Sequence, residues 1–267
     1  MTADDIISGL KTQFLGHHVY AYQQTRSTND VALRLGSDGA PDGALVIAEY
    51  QTAGRGRLGK SWLSPPGCCI LASVILRPTI QPYQTPIVTL LAAAAAANSI
   101  RCLTKLPAKI KWPNDVLIDG KKICGILTEM GVAKDLPSSE AKGRDFFLVV
   151  GIGINVNIEK DSFPISLKST ATSLSILLGY ELPRIQLLQQ FLLEFENRYI
   201  LLNQGDLLPI ISEVKRLSNV LGCQVQVECD EKMAMGQAVD IDEDGALVLR
   251  TRIGTLEKFM TGNVISL

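Results

Sequence analysis

The sequence predicts an α+β protein: a mixed, largely antiparallel sheet flanked by helices, followed by a small C-terminal β-barrel. Three observations carry this reading. Several strand-like runs follow one another directly, without the alternating helices that a doubly wound parallel sheet requires. Asp119-Gly120 stands between two of those runs as a tight hairpin turn. From about Leu221 the pattern becomes short strands separated by turn clusters such as Asp244-Gly245, the spacing of a small barrel.

Taken in order, helical patterns fall at about 3–14, 28–36, 86–103, 171–178, 184–203 and 206–218. Strand patterns fall at about 17–23, 44–51, 69–77, 109–118, 122–130 and 146–157. Ala44–Tyr50, ALVIAEY, is short, apolar and rich enough in Val and Ile to be buried in a sheet. Ile87–Ala97 carries a run of alanines and is well short of the roughly 20 residues that span a bilayer. It reads as a buried helix packed flat on a sheet, because alanine lets two backbones approach closely. The polar stretch 132–145, VAKDLPSSEAKGRD, reads as a disordered loop between strands. The short C-terminal strands are QVQVEC, MGQAVDI, ALVLR and TLEKFM. The helical stretch Pro183–Ser218 would join two domains, a catalytic one at 1–218 and a small one at 219–267.

Composition excludes several functional classes. Lys and Arg total 26 against 27 Asp and Glu, a net charge of -1, so the broad basic field of a non-specific nucleic-acid binder is missing. The two histidines, His17 and His18, lie near the N-terminus, which disfavours a histidine triad or a multi-histidine metal site. The six cysteines, at 68, 69, 102, 124, 223 and 229, show no zinc or redox spacing and read as reduced cytoplasmic thiols. The start MTADDIISGL lacks the basic and apolar segments of a signal peptide, and no membrane association is expected.

Gly54–Ser61, GRGRLGKS, matches the phosphate-loop pattern of a glycine, four free positions and Gly-Lys-Ser. A strand precedes it, but Pro65 and Pro66 follow where the phosphate-binding helix should run, so the pattern is rejected. What remains is a glycine-rich loop with two arginines and a lysine. Its glycines let backbone donors approach an anion, and its arginine forks match phosphate oxygens. Trp62 beyond it is either a core anchor or a stacking surface for a base.

Three further stretches belong with this loop. In RSTND, residues 26–30, Ser27 or Thr28 heads a helix; a simple N-cap is the plainer role, and holding a small polar group of a ligand the alternative. In IKWPNDVLIDGKKICGI, residues 110–126, Lys111, Asp115 and Lys122 fall together on one apparent hairpin, unless they form a solvated charged face. In VVGIGINVN, residues 149–157, Gly151 and Gly153 lack side chains where something else must approach.

Quoted in order, STN at 27–29, QTAGRGRLGKSW at 51–62, KWPNDVLIDGKKICGIL at 111–127 and GIGINVN at 151–157 resemble the biotin protein ligases, and the C-terminal FMTGNVISL resembles that family's SH3-like cap. The resemblance covers nearly the whole chain. It implies the fold shared by class II aminoacyl-tRNA synthetases and biotin ligases, with an SH3-like C-terminal β-barrel, in the monofunctional form without an N-terminal DNA-binding domain. It also implies a two-step reaction, in which biotin and ATP give biotinyl-5'-AMP and a lysine of a biotin carboxyl carrier protein or domain then takes the biotin.

By position, the resemblance implies that Ser27, Thr28, Asn29, Gln51, Arg55, Gly56, Arg57 and Lys122 bind biotin. It places Arg57, Lys60, Trp62 and Asn155 on ATP, and makes Lys122, Arg57, Lys111 and Asp115 the catalytic group. Asp115 would assist magnesium or orient Lys111. Leu58 and Lys60 depart from the more basic run of many relatives, which removes one charge and turns one planar fork into a point charge. The implied molecule is a monomer or homodimer that does not bind DNA. A lipoate or octanoate ligase, and a non-catalytic protein that binds a biotinyl nucleotide, are the alternatives.

Overall fold

A computed structural model of the protein describes residues 1–134, 146–229 and 232–267. The expected disordered loop therefore lies, from residue 135 on, outside the described residues. Within them the strands β1 (Val19–Thr25), β2 (Leu45–Gln51), β3 (Cys69–Leu76), β4 (Lys109–Lys111), β5 (Asp115–Ile118), β6 (Lys121–Val132) and β7 (Phe146–Asn155) form one sheet in the order β1-β2-β3-β7-β6-β5-β4. Only β1 and β2 pair in parallel, since helix α2 (Thr28–Ser37) makes the crossover between them; the other neighbours are antiparallel.

Alternation along these strands sorts the apolar residues into two layers. Val46, Ile75 and Val149 face α2, packed with its Val31 and Ala32. Leu45, Ile47, Ile70, Ala72, Val74, Val150 and Ile152 face the other way, into the main core beneath α3 (Thr85–Thr104) and α5 (Arg184–Asn203). All six alanines of α3 are wholly buried. The helix is long and apolar enough to pass for a membrane span by composition, but here it fills the centre of the core.

Three elements differ from the sequence reading. The first helix, α1, covers only Ala3–Ile7. The backbone N–H groups of Gln13, Phe14 and Leu15 instead donate to the buried carboxylate of Glu196 on α5, at 2.6–2.9 Å, a tertiary bond that local periodicity cannot reveal. The expected strand 109–118 is a tight β4–β5 hairpin that turns at Trp112-Pro113, where proline has no N–H to continue a ladder. The helix expected at 171–178 is the short α4, Leu174–Leu178, capped by Ser173, whose hydroxyl accepts from the N–H of Ile176.

After α6 (Leu208–Leu217), strands β8 (Gln224–Cys229), β9 (Lys232–Ile241), β10 (Leu247–Thr251), β11 (Leu256–Phe259) and β12 (Asn263–Ser266) form an antiparallel sheet in the order β11-β10-β9-β8-β12. Val225, Val227, Ala238, Leu247 and Leu249 join the same apolar core as α3. Trp112, in the β4–β5 turn, is fully buried and its indole N–H donates to the carbonyl of Gly245 at 3.0 Å.

That one bond ties the hairpin to the C-terminal sheet. Trp112→Phe keeps an aromatic ring but strands the buried Gly245 carbonyl, so unfolding in urea is expected to show a loss of about 1–3 kcal/mol. A change below about 0.5 kcal/mol would mean that the ring, and not the N–H, makes the connection.

Candidate functional site

Strands β6 and β7 meet at the middle of the sheet with glycine opposite glycine, Gly125 paired with Gly153. A Cβ at Gly153 would stand 2.5 Å from the Trp62 ring, and one at Gly125 would stand 2.9 Å from it. At Gly151 a Cβ would come within 2.1 Å of Asn29 Oδ1. The groups that need these glycines bare are therefore Trp62, from the end of the glycine-rich loop, and Asn29, from the first turn of α2. The Trp62 indole lies across the Gly125–Gly153 floor, with Lys122 Nζ 5.4 Å from a ring centroid.

Two cavities share Trp62, Gly56, Arg57, Asn114 and Lys122. The first is a narrow slot, about 50 Å³, whose walls include Ser27, Thr28, Asn29, Gln51 and Arg55. The second is a cleft of about 390 Å³ bordered by Lys60, Lys111, Asp115, Asn155 and, from the C-terminal sheet, Gly262 and Asn263. Every site residue chosen from the sequence lines one cavity or both.

At the end of the slot, Ser27 takes the N-cap position of α2, yet its side chain makes no capping hydrogen bond. The cap is supplied from β2: Gln51 Oε1 accepts the Thr28 backbone N–H at 2.7 Å. The plain N-cap role for the Ser27 hydroxyl thus fails, and Ser27 lines the slot without that duty. Asn29 donates through Nδ2 to Leu127 O and to Glu129. Arg55 is gripped in a two-pronged pair by Glu129, both distances 2.8 Å, and by Asp30 at 2.7 Å. Burial opposes the Arg55 charge, but these two carboxylates outweigh it and raise its pKa. Its guanidinium is an anchor for the glycine-rich loop, whose Arg55 and Gly56 line the slot.

The cleft is short of negative charge. Asp115 is the acidic residue bordering it, with Lys122 Nζ at 2.6 Å, while Arg57, Lys60 and Lys111 crowd the same space. Burial lowers the pKa of Lys111; Asp115 works against that, and Lys122 and Lys60 add to it. Burial likewise lowers the pKa of Arg57, with partial relief from Asp115. Cations that are partly desolvated and outnumber their counter-charge make a site for an anionic ligand. Arg57 itself donates to Asn114 Oδ1 at 2.8 Å and to Thr261 Oγ1. Asn155 has its amide N–H committed to Thr172 O at 3.0 Å.

The 54–61 loop closes on itself and runs into no helix: Gly56 N–H donates to Lys60 O at 2.7 Å, and Arg55 bridges to Ser61. Leu58 sits at φ 54°, in the left-handed region. The rejection of a phosphate-loop NTPase stands. Buried thiols offer no nucleophile, since burial pushes Cys69 up to about 12 and raises Cys124 as well. Among the described residues no cluster of three His, Cys, Asp or Glu side chains could hold a metal ion.

Sequence reasoning missed Ser73, Asp30, Glu129, Asn114 and Thr261. One signal was available for Ser73: it is the sole hydroxyl in the apolar run CILASVIL, and a buried hydroxyl demands a partner. Asp30 and Asn114 lie inside the RSTND and KWPND stretches, whereas Glu129 and Thr261 are joined to the site only by folding.

Residues 20–136 match the biotin/lipoate A/B protein ligase family, and residues 220–266 match the biotin protein ligase C-terminal domain. The chain is 39% identical over 254 residues to the bifunctional ligase/repressor BirA of Bacillus subtilis, covering 95% of this chain and 76% of that protein. It is 34% identical over 233 residues to the biotin–acetyl-CoA-carboxylase ligase of Mycobacterium tuberculosis, covering 85% and 80% respectively. The biotin protein ligase of Aquifex aeolicus, solved in complex with biotin and ATP, superposes with a TM-score of 0.79 at 26% identity, covering 94% of this chain and 99% of that one.

Because the Gly153 backbone belongs to a central strand, Gly153→Ala is expected to displace the indole instead of the sheet. With Trp112→Phe as background, Trp62 is the sole tryptophan, and its emission should move to longer wavelength. An unchanged spectrum in a folded variant would remove Trp62 from this floor.

Proposed function

The chain belongs to the biotin protein ligase family, and from that footing we propose that it is an ATP-dependent ligase that activates biotin as biotinyl-5'-AMP and transfers it to a lysine of a biotin carboxyl carrier domain. One observation supports this most directly. A narrow slot ending in neutral hydrogen-bonding groups opens, at Lys122 and Arg57, into a cleft where cations outnumber carboxylates.

In this reading the slot takes the biotin head at Ser27, Thr28 and Gln51, with the loop backbone at Arg55 and Gly56 beside it. Asn29 holds the wall of the slot. The biotin carboxylate then lies where the two cavities meet. The nucleotide phosphates lie among Arg57, Lys60 and Lys111, while Trp62 presents its ring to adenine and Asn155 borders the same cleft.

In the first step a carboxylate oxygen attacks the α-phosphorus and pyrophosphate departs; no proton has to move. Lys122, steadied by Asp115, neutralises charge that concentrates on the carboxylate and α-phosphate oxygens. In the second step the neutral amine of the acceptor lysine attacks the acyl carbon, loses a proton, and AMP leaves. Both steps call for placed positive charge and oriented substrates, and for no enzyme nucleophile.

Asp115 by itself is no resident metal site. A lone carboxylate suits a magnesium ion that arrives with the triphosphate, where it would supply further neutralisation of the phosphate oxygens. The division proposed is a biotin- and ATP-binding unit at 1–218 and a C-terminal unit at 219–267 that reaches the cleft rim through Thr261, Gly262 and Asn263. The cytoplasm is the proposed compartment, in keeping with six cysteines without disulfides.

A lipoate ligase would use the same adenylate chemistry. The polar end of the slot favours a urea over a dithiolane ring. Labelled biotin is expected to enter a carrier domain only with ATP present, and excess lipoate should leave that incorporation unchanged. No incorporation by folded protein would sink the proposal. Lys122→Ala is expected to slow pyrophosphate release by roughly a hundred- to a thousandfold, about 2.7–4 kcal/mol, with a much smaller effect on biotin affinity. Near-normal adenylation at saturating ATP would reduce Lys122 to a surface lysine.

A further inference from the structure

We propose that Asn114 is a positioning residue for the first step: its neutral amide stands between Arg57 and Asp115 and keeps the guanidinium from pairing with that carboxylate, so that Asp115 serves Lys122 and the Arg57 charge stays open to a phosphate. The inference rests on the reading of the cleft as the nucleotide site. Asn114 follows Trp112-Pro113 in the β4–β5 turn and lines both cavities.

The amide has one orientation. The Ile126 N–H donates to Asn114 O at 2.9 Å and Asn114 Nδ2 donates to Ile126 O at 3.1 Å, so main chain and side chain are both held on β6. Nδ2 also donates to Asp115 Oδ1 at 3.0 Å. Carbonyl and carboxylate oxygens can only accept, which leaves Asn114 Oδ1 for the Arg57 Nη1 proton at 2.8 Å. A flipped amide would set its oxygen against two other oxygens and its N–H groups against a guanidinium.

One amide group therefore separates the guanidinium from the carboxylate. Asp115 is the acidic residue bordering the cleft, and its charge already reaches Arg57, offsetting part of what burial takes from that cation. Left adjacent, the two would join in a bidentate pair, the strong geometry for these groups. Such a pair would compete for Asp115 Oδ1, where Lys122 Nζ now sits at 2.6 Å, and would cancel the Arg57 charge.

Asn114 prevents both. It gives Asp115 a hydrogen bond without a second cation, and gives Arg57 an acceptor without an anion. The other Arg57 contacts, Thr261 Oγ1 and Gly262 O, are neutral as well. The guanidinium is thus oriented from two sides and neutralised from neither. Aspartate in this place would match the size and fail, since it lacks the N–H groups for Asp115 and Ile126 and would itself pair with Arg57.

The test follows pyrophosphate release at saturating biotin over a range of ATP in the natural protein, Asn114→Ala, Asp115→Asn and the double variant. Asn114→Ala should raise the ATP KM about tenfold or more, the scale of a hydrogen bond to a charged group, and lower kcat as Lys122 loses its partner. The biotin Kd, from calorimetry without ATP, should hold within about threefold. Once the competing carboxylate is gone the separator has nothing to separate: in the Asp115→Asn background the same Asn114→Ala change should cost less than about threefold in ATP KM. Equal losses in the two backgrounds, or a biotin Kd that weakens as much as the ATP KM rises, would overturn the role and leave a structural asparagine. If Asn114→Ala does not fold, Asn114→Asp makes the pair with Arg57 directly and should raise the ATP KM about tenfold or more; an unchanged KM would overturn the role. A folded natural protein that releases no pyrophosphate with biotin and ATP would instead overturn the ligase reading itself, and the same four proteins would then be compared by their calorimetric affinity for inorganic pyrophosphate.

Discussion

The site depends on one constraint in the middle of the sheet, where β6 and β7 give up their side chains at Gly125, Gly151 and Gly153. Sheet backbones in a packed core do not yield, so the space above them is fixed in shape. Asn29 takes the part over Gly151 and Trp62 the part over Gly125 and Gly153. Each brings its own segment with it: Asn29 brings the start of α2, and Trp62 the end of the glycine-rich loop. A single methyl group at any of the three positions would collide with one or the other.

From that floor outward the side chains divide by task. Arg55 is tied to Glu129 and Asp30 and holds the loop, whereas Arg57, two residues on, turns to the cleft and reaches Asn114 and Thr261. Two arginines in one short motif thus face opposite electrostatic surroundings. The first has its pKa raised by carboxylates that outweigh burial, and the second has it lowered by burial. A charge already neutralised suits an anchor, and one that has neutral hydrogen-bond partners but no ion pair among the described residues suits a phosphate.

The C-terminal sheet belongs to the same arrangement. Trp112 is buried against it, and the turn before β12 supplies Thr261 and Gly262 to Arg57. Arg57 and the packing of the two sheets therefore both draw on turns of the C-terminal sheet, Thr261 and Gly262 for the one and Gly245 for the other.

The sequence by itself determined the mixed sheet, the buried alanine helix, the β-rich C-terminal unit and the motifs that line both cavities. Those features rest on short-range facts: periodicity, the Asp119-Gly120 turn, and glycine and basic residues at close spacing. The register of the site was also partly legible, since Lys111, Asp115 and Lys122 sit on adjoining arms of a hairpin and do converge. Tertiary structure alone decided that Glu196 ends the first helix early, that Arg55 is an anchor, and that Ser73 sits between Thr28 and Asn29. Each of these is a contact between residues about 45 to 180 positions apart, and hydrogen-bond direction depends on which partner arrives. Local pattern records which face a residue shows, and only the closed core settles what that face meets.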